Sequence, residues 1–207
     1  MTTHTIKHIT LNESERAAET LANAFYNDAL IRWLIGQTDD YFNTAKALFK
    51  TWINYAVRYG IALRTENFEA IALRLKPGQT KMTMWKMLRA GMFKTPRIIG
   101  KEGLNRIQIL EKAIEKAQKE NIPDNNFMYC WVLGTDPLQQ KKGFGGALVQ
   151  ATFDMAAKLA VPCYLETATG GPSESVHGKF GYKAKSIIPI SHADFTLTAM
   201  IKGSSAS

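Results

Sequence analysis

The stretch at 139–148, QQKKGFGGAL, carries residue types suited to holding an anionic group. Its three glycines let the backbone adopt positive φ and approach a ligand closely. A helical pattern follows directly, and the first N–H groups of a helix have no intrahelical partner and attract anions. Lys141 and Lys142 add positive charge beside that helix start. The stretch therefore predicts an anion site over residues 143–147, with a plain tight turn as the structural alternative.

Two common phosphate-binding patterns do not fit this stretch. The Walker pattern G-x-x-x-x-G-K-[ST] is not matched here. The dinucleotide pattern G-x-G-x-x-G starts well at Gly143 and Gly145, but Leu148 stands at the third glycine position. Glu166 lies at a suitable distance for the acidic residue of that pattern, yet only about 40 residues follow it. Because so little chain cannot supply the remaining strands, a doubly wound dinucleotide domain is disfavoured.

The elements that must position this stretch follow from hydrophobic periodicity. An apolar run at 127–136 predicts a central strand before it, and a helix is predicted after it at 145–160. The other predicted strands lie at 5–11, 61–66, 68–76, 162–168, 182–190 and 193–201. The other predicted helices lie at 12–26 with Asn12 as cap, 28–36, 41–60, 81–93, 103–121 past Pro96, and 176–180. This order predicts an α/β domain with a mixed sheet and a helical insert at about 77–122, between the third and fourth strands.

Length and composition are those of one globular domain spanning 1–207. The sequence has no apolar run of the roughly 18 residues that a membrane span needs. The N-terminus lacks the basic and apolar regions of a secretory signal, so the sequence predicts a cytoplasmic protein. Cys130 and Cys163 lie in apolar runs and are expected to be buried, free thiols in a reducing compartment. The tail at 203–207 is expected to fray.

Positive charge is concentrated in the insert. The net charge is +8, and residues 73–120 hold twelve Lys and Arg against four Asp and Glu, which equals the whole excess. Such a segment indicates either an anionic partner or a solvated helical face. The chain has no helix-turn-helix, zinc-binding or RNP-like pattern, so a nucleic-acid partner is disfavoured and no metal site is expected.

The glycine stretch and its surroundings resemble the GNAT family of N-acetyltransferases. The family signature [QR]-x-x-G-x-[GA] is matched by Q-K-K-G-F-G at 140–145. WVLGTDPLQQKKGFGGALV is similar to the family's fourth strand, loop and third helix, and YLETATGGPSESVHGKFGY to its fifth strand and fourth helix. LANAFYNDALIRWL is similar to the puromycin N-acetyltransferase-like branch. The resemblance implies a mostly antiparallel sheet flanked by helices, and acetyl transfer from acetyl-CoA to the amine of a small molecule.

The resemblance also implies which residues bind acetyl-CoA. Backbone N–H groups from Lys142 to Ala147 would hold the pyrophosphate, and a splayed fourth strand would hold the pantetheine arm, with Gly134 easing a bulge. Ser173 stands where the family often has an Asn. The full implied set is Leu133, Gly134, Thr135, Gln140, Lys141, Lys142, Gly143, Phe144, Gly145, Gly146, Ala147 and Ser173.

Two residues are the candidate catalytic groups. Glu166 is a charged residue near the end of an otherwise apolar strand, where it would take the proton from the amine; a salt-bridged structural role is the alternative. His177 stands where the family often has a tyrosine that protonates the leaving thiolate. Imidazole titrates near neutral pH, so His177 is predicted to serve as that acid, with a surface histidine as the alternative. Ser175 and Tyr182 are nearby substitutes.

The acceptor pocket is expected between the first helices and the central strand. Its candidate residues are Phe25, Tyr26, Asp28, Trp33, Tyr129 and Trp131, for which ordinary core packing is the alternative. A CoA-binding sensor that has lost catalysis is the main alternative to an enzyme, because His177 departs from the family pattern. A homodimer is left open.

Overall fold

The computed structural model describes residues 4–204, and the outer part of the tail predicted to fray, 205–207, lies outside the described residues. The strands are β1 (Ile6–His8), β2 (Ile61–Thr65), β3 (Ala70–Leu75), β4 (Met128–Thr135), β5 (Cys163–Ala168), β6 (Lys183–Pro189) and β7 (Thr196–Lys202). They form one sheet in the order β1-β2-β3-β4-β5-β7-β6. The β4–β5 pairing is parallel and the other five pairings are antiparallel. The predicted mixed, mostly antiparallel sheet with β4 at its centre is confirmed.

Helices cover both faces of this sheet. They are α1 (Ser14–Ala24), α2 (Ala29–Ile35), α3 (Tyr41–Tyr59), α4 (Met84–Arg89), α5 (Thr95–Asn121), α6 (Phe144–Lys158) and α7 (Pro172–Lys179). Helices α1, α2, α3 and α5 pack on one face, where the largest core cluster lies. Helices α6 and α7 lie on the other face over a smaller core. The predicted helical insert is confirmed as α4 and α5, between β3 and β4.

The first helix begins differently from the prediction. A single 3₁₀ turn at Leu11–Glu13 precedes α1, and Thr10 rather than Asn12 is its cap. The Thr10 hydroxyl and backbone N–H both donate to the Glu13 carboxylate, at 3.0 and 2.8 Å. Pairing of this kind satisfies N–H groups that the helix start would otherwise leave without partners.

The second helix of the insert is longer than predicted. Pro96 was expected to precede it, but α5 begins at Thr95 with Pro96 in its first turn, where the missing N–H costs no hydrogen bond. The interruption lies at Gly100 instead, whose φ of 68° and ψ of −176° break the helical path. Beyond Gly100 the helix runs across the sheet face to Asn121, which donates to Ser186 on β6 at 2.8 Å. This course brings the end of α5 beside β5.

Candidate active site

Strands β4 and β5 separate shortly after they meet. Their parallel ladder has two pairs, Met128 with Cys163 and Tyr129 with Tyr164. Beyond that point β5 stays paired with β7 as far as its last residue, while β4 stays paired with β3. The side of β4 that faces β5 is therefore open along 130–135 within the described chain. The splay implied by the sequence resemblance is present at the predicted strand.

The irregularity in β4 lies earlier than Gly134. The β3–β4 register changes between Leu73↔Val132 and Leu75↔Tyr129, so β4 carries the extra residue between Tyr129 and Val132. Gly134 has a different role, because an added Cβ would lie 2.8 Å from Leu21 Cδ2 on α1. The prediction that Gly134 eases the bulge is wrong; this glycine lets α1 approach the strand.

The start of α6 has the unpartnered donors that an anion needs. Gly143 precedes the helix with φ of 88°, and Lys141 also adopts a positive φ of 64°. Within residues 4–204, no side chain caps this end of α6. Ala147 N–H donates to Gly143 O at 3.0 Å, so Ala147 is not the free donor that the sequence implied. The N–H groups of residues 144–146 precede the first intrahelical bond and point out of the helix start.

Glycines keep the space around this helix start open. An added Cβ at Gly145 would lie 2.8 Å from Thr135 Oγ1, and one at Gly146 would lie 3.0 Å from Phe180 Cζ. Both contacts are closer than a real Cβ tolerates without movement of its neighbour. Gln140 reaches back toward Thr135 O at 3.5 Å. The end of β4, the glycine loop and the segment after α7 therefore meet around the start of α6.

Lys142, the second lysine of the loop, has its hydrogen-bond partners within the loop. Lys142 Nζ is turned back onto its own loop, where it donates to Leu138 O at 3.2 Å and Gln139 Oε1 at 3.0 Å. Its carbonyl lies 3.0 Å from His4 Nε2, and the His4 ring packs 4.3 Å from the ring of Phe144. The segment before β1 thus lies against the loop, a contact that no sequence pattern indicated.

Glu166 lies at the opening between the strands, two residues beyond the last β4–β5 pair. Tyr129 Oη donates to its Oε2 at 2.7 Å, and Gln118 Nε2 donates to its Oε1 at 3.3 Å. Burial raises the pKa of Glu166 to about 7, against the opposing effect of these two hydrogen bonds. A carboxyl with this pKa exchanges a proton at neutral pH, as a general base must.

Tyr164 completes the surroundings of this carboxyl. It is fully buried, and its hydroxyl has no hydrogen-bond partner within residues 4–204. Burial, and then the charge of Glu166, raise its pKa. Side chains two residues apart on a strand share a face, so the spacing of Tyr164 and Glu166 was a signal that sequence reasoning missed. A buried hydroxyl without a protein partner is available to hydrogen-bond a ligand or a water molecule.

His177 lies on the opposite face of the sheet from the Glu166 side chain. Its ring packs 5.4 Å from that of Tyr182, among the residues beneath α6, while Glu166 bonds to α5. Burial, and then the charge of Arg74, lower the pKa of His177 to about 4. The expectation of titration near neutral pH is therefore wrong, because the ring is uncharged at pH 7. His177 Nδ1 is buried without a partner in the described chain, and Ser173 is exposed in the first turn of α7.

A buried arginine supports β4 from the α6 side. Arg74 is 1% exposed, and it donates to Thr152 Oγ1 at 3.0 Å and to Val132 O at 2.7 Å. No carboxylate within residues 4–204 pairs with it. The neighbouring thiol of Cys163, and then the Arg74 charge, favour the thiolate of Cys130 and lower its pKa. Both cysteines are free and buried.

The aromatic residues predicted for the acceptor pocket are divided between two places. Trp131 lies just beyond Tyr129 on β4, with its ring 5.5 Å from Trp52 of α3. Phe25 ends α1 and packs 5.3 Å from Phe49. Trp131 and Tyr129 are thus near the strand opening, and Phe25 borders the α1–β4 contact at Gly134.

The link between α1 and α2 has a mainly structural role. Trp33 Nε1 donates to His192 O at 3.1 Å, which ties α2 to the β6–β7 connection rather than to Tyr129. Asp28 caps α2 by accepting from Ile31 N at 2.9 Å, and burial raises its pKa. Tyr26 is exposed. Trp33 is therefore not brought to the Glu166 carboxyl.

Other features of the described chain lie away from this opening. A polar cavity of about 580 Å³ between α1 and the β2–β3 turn reaches Asp136 and Gln139 but does not include Glu166. Across 4–204, no group of three or more His, Cys, Asp or Glu side chains is placed to hold a metal ion. In the same part of the chain, every helix is too short or too polar to cross a membrane.

Comparison with known proteins covers most of the chain. No protein-family model matches the chain. An uncharacterized N-acetyltransferase of Schizosaccharomyces pombe is 25% identical over 169 residues, which is 78% of this chain and 68% of that protein. A protein of Corynebacterium glutamicum, described as histone acetyltransferase HPA2 and related acetyltransferase, is 22% identical in sequence to this chain. Its crystal structure superposes with a TM-score of 0.71 over 99% of this chain and 98% of that one. The chain has the GNAT acetyltransferase fold.

A second solved structure has the same fold. The polyamine N-acetyltransferase of Drosophila melanogaster is 14% identical, with a TM-score of 0.67 over 97% of this chain and 99% of that one. The curated relative and the structural neighbours together bear out the expectation of a GNAT-type N-acetyltransferase. They do not identify the puromycin N-acetyltransferase-like branch.

Proposed function

We propose that this GNAT protein transfers an acetyl group from acetyl-CoA to the primary amine of a small molecule by direct attack in a ternary complex. The observation that carries the proposal is the Glu166 carboxyl at the opening between β4 and β5. Its pKa of about 7 gives it a substantial basic fraction at neutral pH. It lies at the same end of the sheet as the uncapped start of α6.

The donor would bind along β4 and the glycine loop. The N–H groups of residues 144–146 are the donors for the pyrophosphate, and Lys141 adds charge beside them. The open backbone of residues 133–135 is suited to hydrogen bonds with the pantetheine amides. The site fits this cosubstrate because the helix start lacks a cap and a Cβ at Gly145 would crowd Thr135.

The transfer itself forms an amide and breaks a thioester. The amine nitrogen attacks the carbonyl carbon, the C–S bond breaks, and the electron pair leaves with sulfur as the CoA thiolate. Glu166 accepts the proton that the nitrogen loses. Tyr129 and Gln118 act as positioning residues, because each donates to one oxygen of that carboxylate.

His177 is proposed to assist the leaving thiolate from the other face of the sheet. Because its pKa lies near 4, it is a neutral hydrogen-bond donor at pH 7 rather than a source of a full proton. Its buried Nδ1 without a partner supports a role that needs a ligand. Tyr182, the substitute considered from the sequence, has its hydroxyl 3.2 Å from Cys130 Sγ in the core.

The acceptor is proposed to be a small amine that reaches Glu166 past Tyr129 and Trp131. The Drosophila neighbour acts on polyamines, which supports an amine of that general kind. The α1–α2 sequence LANAFYNDALIRWL supports placement in the puromycin N-acetyltransferase-like branch. We further propose that residues 1–207 act as one domain in the reducing cytoplasm, in keeping with the two free, buried thiols.

Thiol release from acetyl-CoA over a panel of polyamines and arylalkylamines tests the proposal. We expect turnover on at least one amine, and a loss of about a hundredfold or more in Glu166→Gln, the range of a missing general base. Glu102→Gln is the matched control, because Glu102 is exposed on α5 and pairs with Arg106. Equal activity of Glu166→Gln and wild type would exclude Glu166 as the base.

Binding of acetyl-CoA is tested separately. A ligand selective for the folded state raises the melting temperature. A rise with acetyl-CoA but no turnover on any amine would favour the alternative of a CoA-binding sensor. Salt-dependent binding of DNA or RNA without either effect would favour the nucleic-acid alternative.

A further inference from the structure

Helix α4 and the turn after it expose large apolar side chains. The insert patch comprises Met84, Trp85, Leu88 and Phe93, which are 80%, 65%, 48% and 56% exposed. The first three share one side of α4, since they stand at i, i+1 and i+4. Phe93 follows in the 3₁₀ turn that packs against α4. Scattered apolar residues are common on surfaces, but a cluster of four marks an interaction site.

The other side of α4 already has its partner. Ala90 is 2% exposed, and Met87 packs against the main core. The helix is therefore apolar on both its inner and its outer side. The inner residues pack α4 onto the core, and the insert patch remains exposed to solvent.

Positive charge surrounds the insert patch without compensation. Residues 76–101 contain seven Lys and Arg and no Asp or Glu. Arg89, Lys94 and Arg97 are exposed, and none of them forms an ion pair within residues 4–204. Lys81 is the member of the segment that pairs, with Glu115 of α5 at 3.5 Å. An uncompensated cationic rim around an apolar centre matches a partner that is both anionic and apolar.

We propose that the insert patch docks this protein on an anionic lipid surface. Interfacial segments combine Trp, Phe and Leu side chains that enter the acyl boundary with Lys and Arg that contact acidic headgroups. Nucleic acid fits less well, because Met84 and Leu88 have no ring to stack on a base and no charge for a phosphate. The proposal is independent of the acetyl-transfer reaction, since Glu166 lies on a different part of the chain.

Co-sedimentation of the full chain with lipid vesicles tests the proposal. The two vesicle types are phosphatidylcholine alone and phosphatidylcholine with phosphatidylserine. We expect binding to the second type that weakens as salt is added. Trp85→Ser should weaken it about tenfold or more, the effect of losing one large buried apolar side chain. The combined change Arg89→Glu, Lys94→Glu and Arg97→Glu should weaken it about a hundredfold, at about fivefold for each cation.

Two matched controls distinguish vesicle binding through the insert patch from nonspecific hydrophobic adsorption and from an effect of net charge. Leu159→Ser changes an exposed apolar residue at the end of α6, which is 53% exposed. Lys158→Glu, Lys183→Glu and Lys185→Glu together reverse three exposed lysines elsewhere, for the same change in net charge. Both controls should bind vesicles as wild type does, and all variants should melt within a few degrees of it.

Four results would overturn the proposal. The first is no binding to phosphatidylserine vesicles, and the second is equal weakening by the two triple variants. The third is a dimer, seen by light scattering, that Trp85→Ser dissociates while vesicles are not bound, which would assign the insert patch to a second copy of the chain. The fourth is binding to RNA or DNA through this patch without binding to vesicles.

Discussion

Replacement of Tyr129 by Phe tests the proposed base through its proton affinity. The Tyr129 hydroxyl donates to Glu166 Oε2 at 2.7 Å and therefore favours the charged carboxylate. Phe keeps the ring that packs 6.3 Å from Tyr164 and removes only the donor. We expect the pKa of Glu166 to rise above its present value of about 7, with the fold intact.

The size of the shift follows from the strength of the lost bond. A hydrogen bond to a charged group contributes about 1.5–3 kcal/mol, and about 1.4 kcal/mol corresponds to a tenfold change in proton affinity. The pKa of Glu166 should therefore rise to roughly 8–9 in Tyr129→Phe. At pH 7 the basic fraction falls from about half to between about a tenth and a hundredth. The rate at pH 7 should fall roughly fivefold to fiftyfold, and the loss should shrink as pH rises toward 9.

The assay is kcat/KM for acetyl transfer to one amine from pH 6 to 9, as the ratio of wild type to variant. This ratio cancels the titration of the amine itself. Tyr55→Phe is the matched control, because Tyr55 Oη is also buried but has no hydrogen-bond partner within residues 4–204. Its ratio should stay near one at every pH. For Glu166→Gln the ratio of wild type to variant should rise with pH through about 7, because only the wild type gains a carboxylate base as pH rises.

Two patterns would refute the reasoning. A loss in Tyr129→Phe that is the same at every pH would mean that Tyr129 contacts the acceptor or supports the strand, without tuning Glu166. An unchanged rate at pH 7 would mean that the proton leaves the amine by another route. The first pattern would remove Tyr129 from its positioning role, and the second would remove Glu166 from the proposed mechanism.

Three further results are expected. Gly145→Ala places a Cβ 2.8 Å from Thr135 Oγ1 and should raise the KM for acetyl-CoA about tenfold with little change in the KM for the amine, measured by initial rates. The contribution of His177 to stability should fall as pH drops from 6.5 toward 4, because the unfolded chain takes up a proton on His177 that the folded chain refuses; in urea melts, the change in the free energy of unfolding over this range should differ between wild type and His177→Asn by no more than about 3 kcal/mol. Thr152→Val removes the acceptor of buried Arg74 Nε, which should cost about 2 kcal/mol and lower the melting temperature by roughly 4–8 °C, whereas Thr152→Ser should cost much less.

The sequence predicts those parts of the candidate site that depend on residues close together in the chain. A glycine-rich turn between an apolar strand and a helix describes a helix start whether or not the rest of the fold is known. Glu166 was predicted in the same way, as a charge that interrupts an apolar strand at its end, and the structure places it at the strand opening. The order of strands and helices, and the position of the insert, also followed from periodicity.

The parts that sequence missed depend on contacts between distant segments. Gln118 lies 48 residues before Glu166, and nothing in an amphipathic helix marks which polar residue will face a sheet opening. The low pKa of His177 comes from burial against Tyr182 and α6, which a single residue type cannot reveal. Gly134 was assigned to the wrong purpose because a bulge and a close helix approach both favour glycine.

The proposed role of Glu166 as a base and its cost to stability have one source, the burial of its carboxyl. In the unfolded chain the carboxyl ionises near pH 4.5, whereas the folded chain retains the proton until about pH 7. Across that window the folded state binds more protons than the unfolded state, so the free energy of unfolding contributed by this group falls as pH rises. A hydrophobic residue at this position would avoid the cost, and a solvated carboxylate would be too weak a base near neutral pH. The two donors, Tyr129 and Gln118, hold the pKa near neutrality by partly offsetting burial, and so keep the group usable as a base.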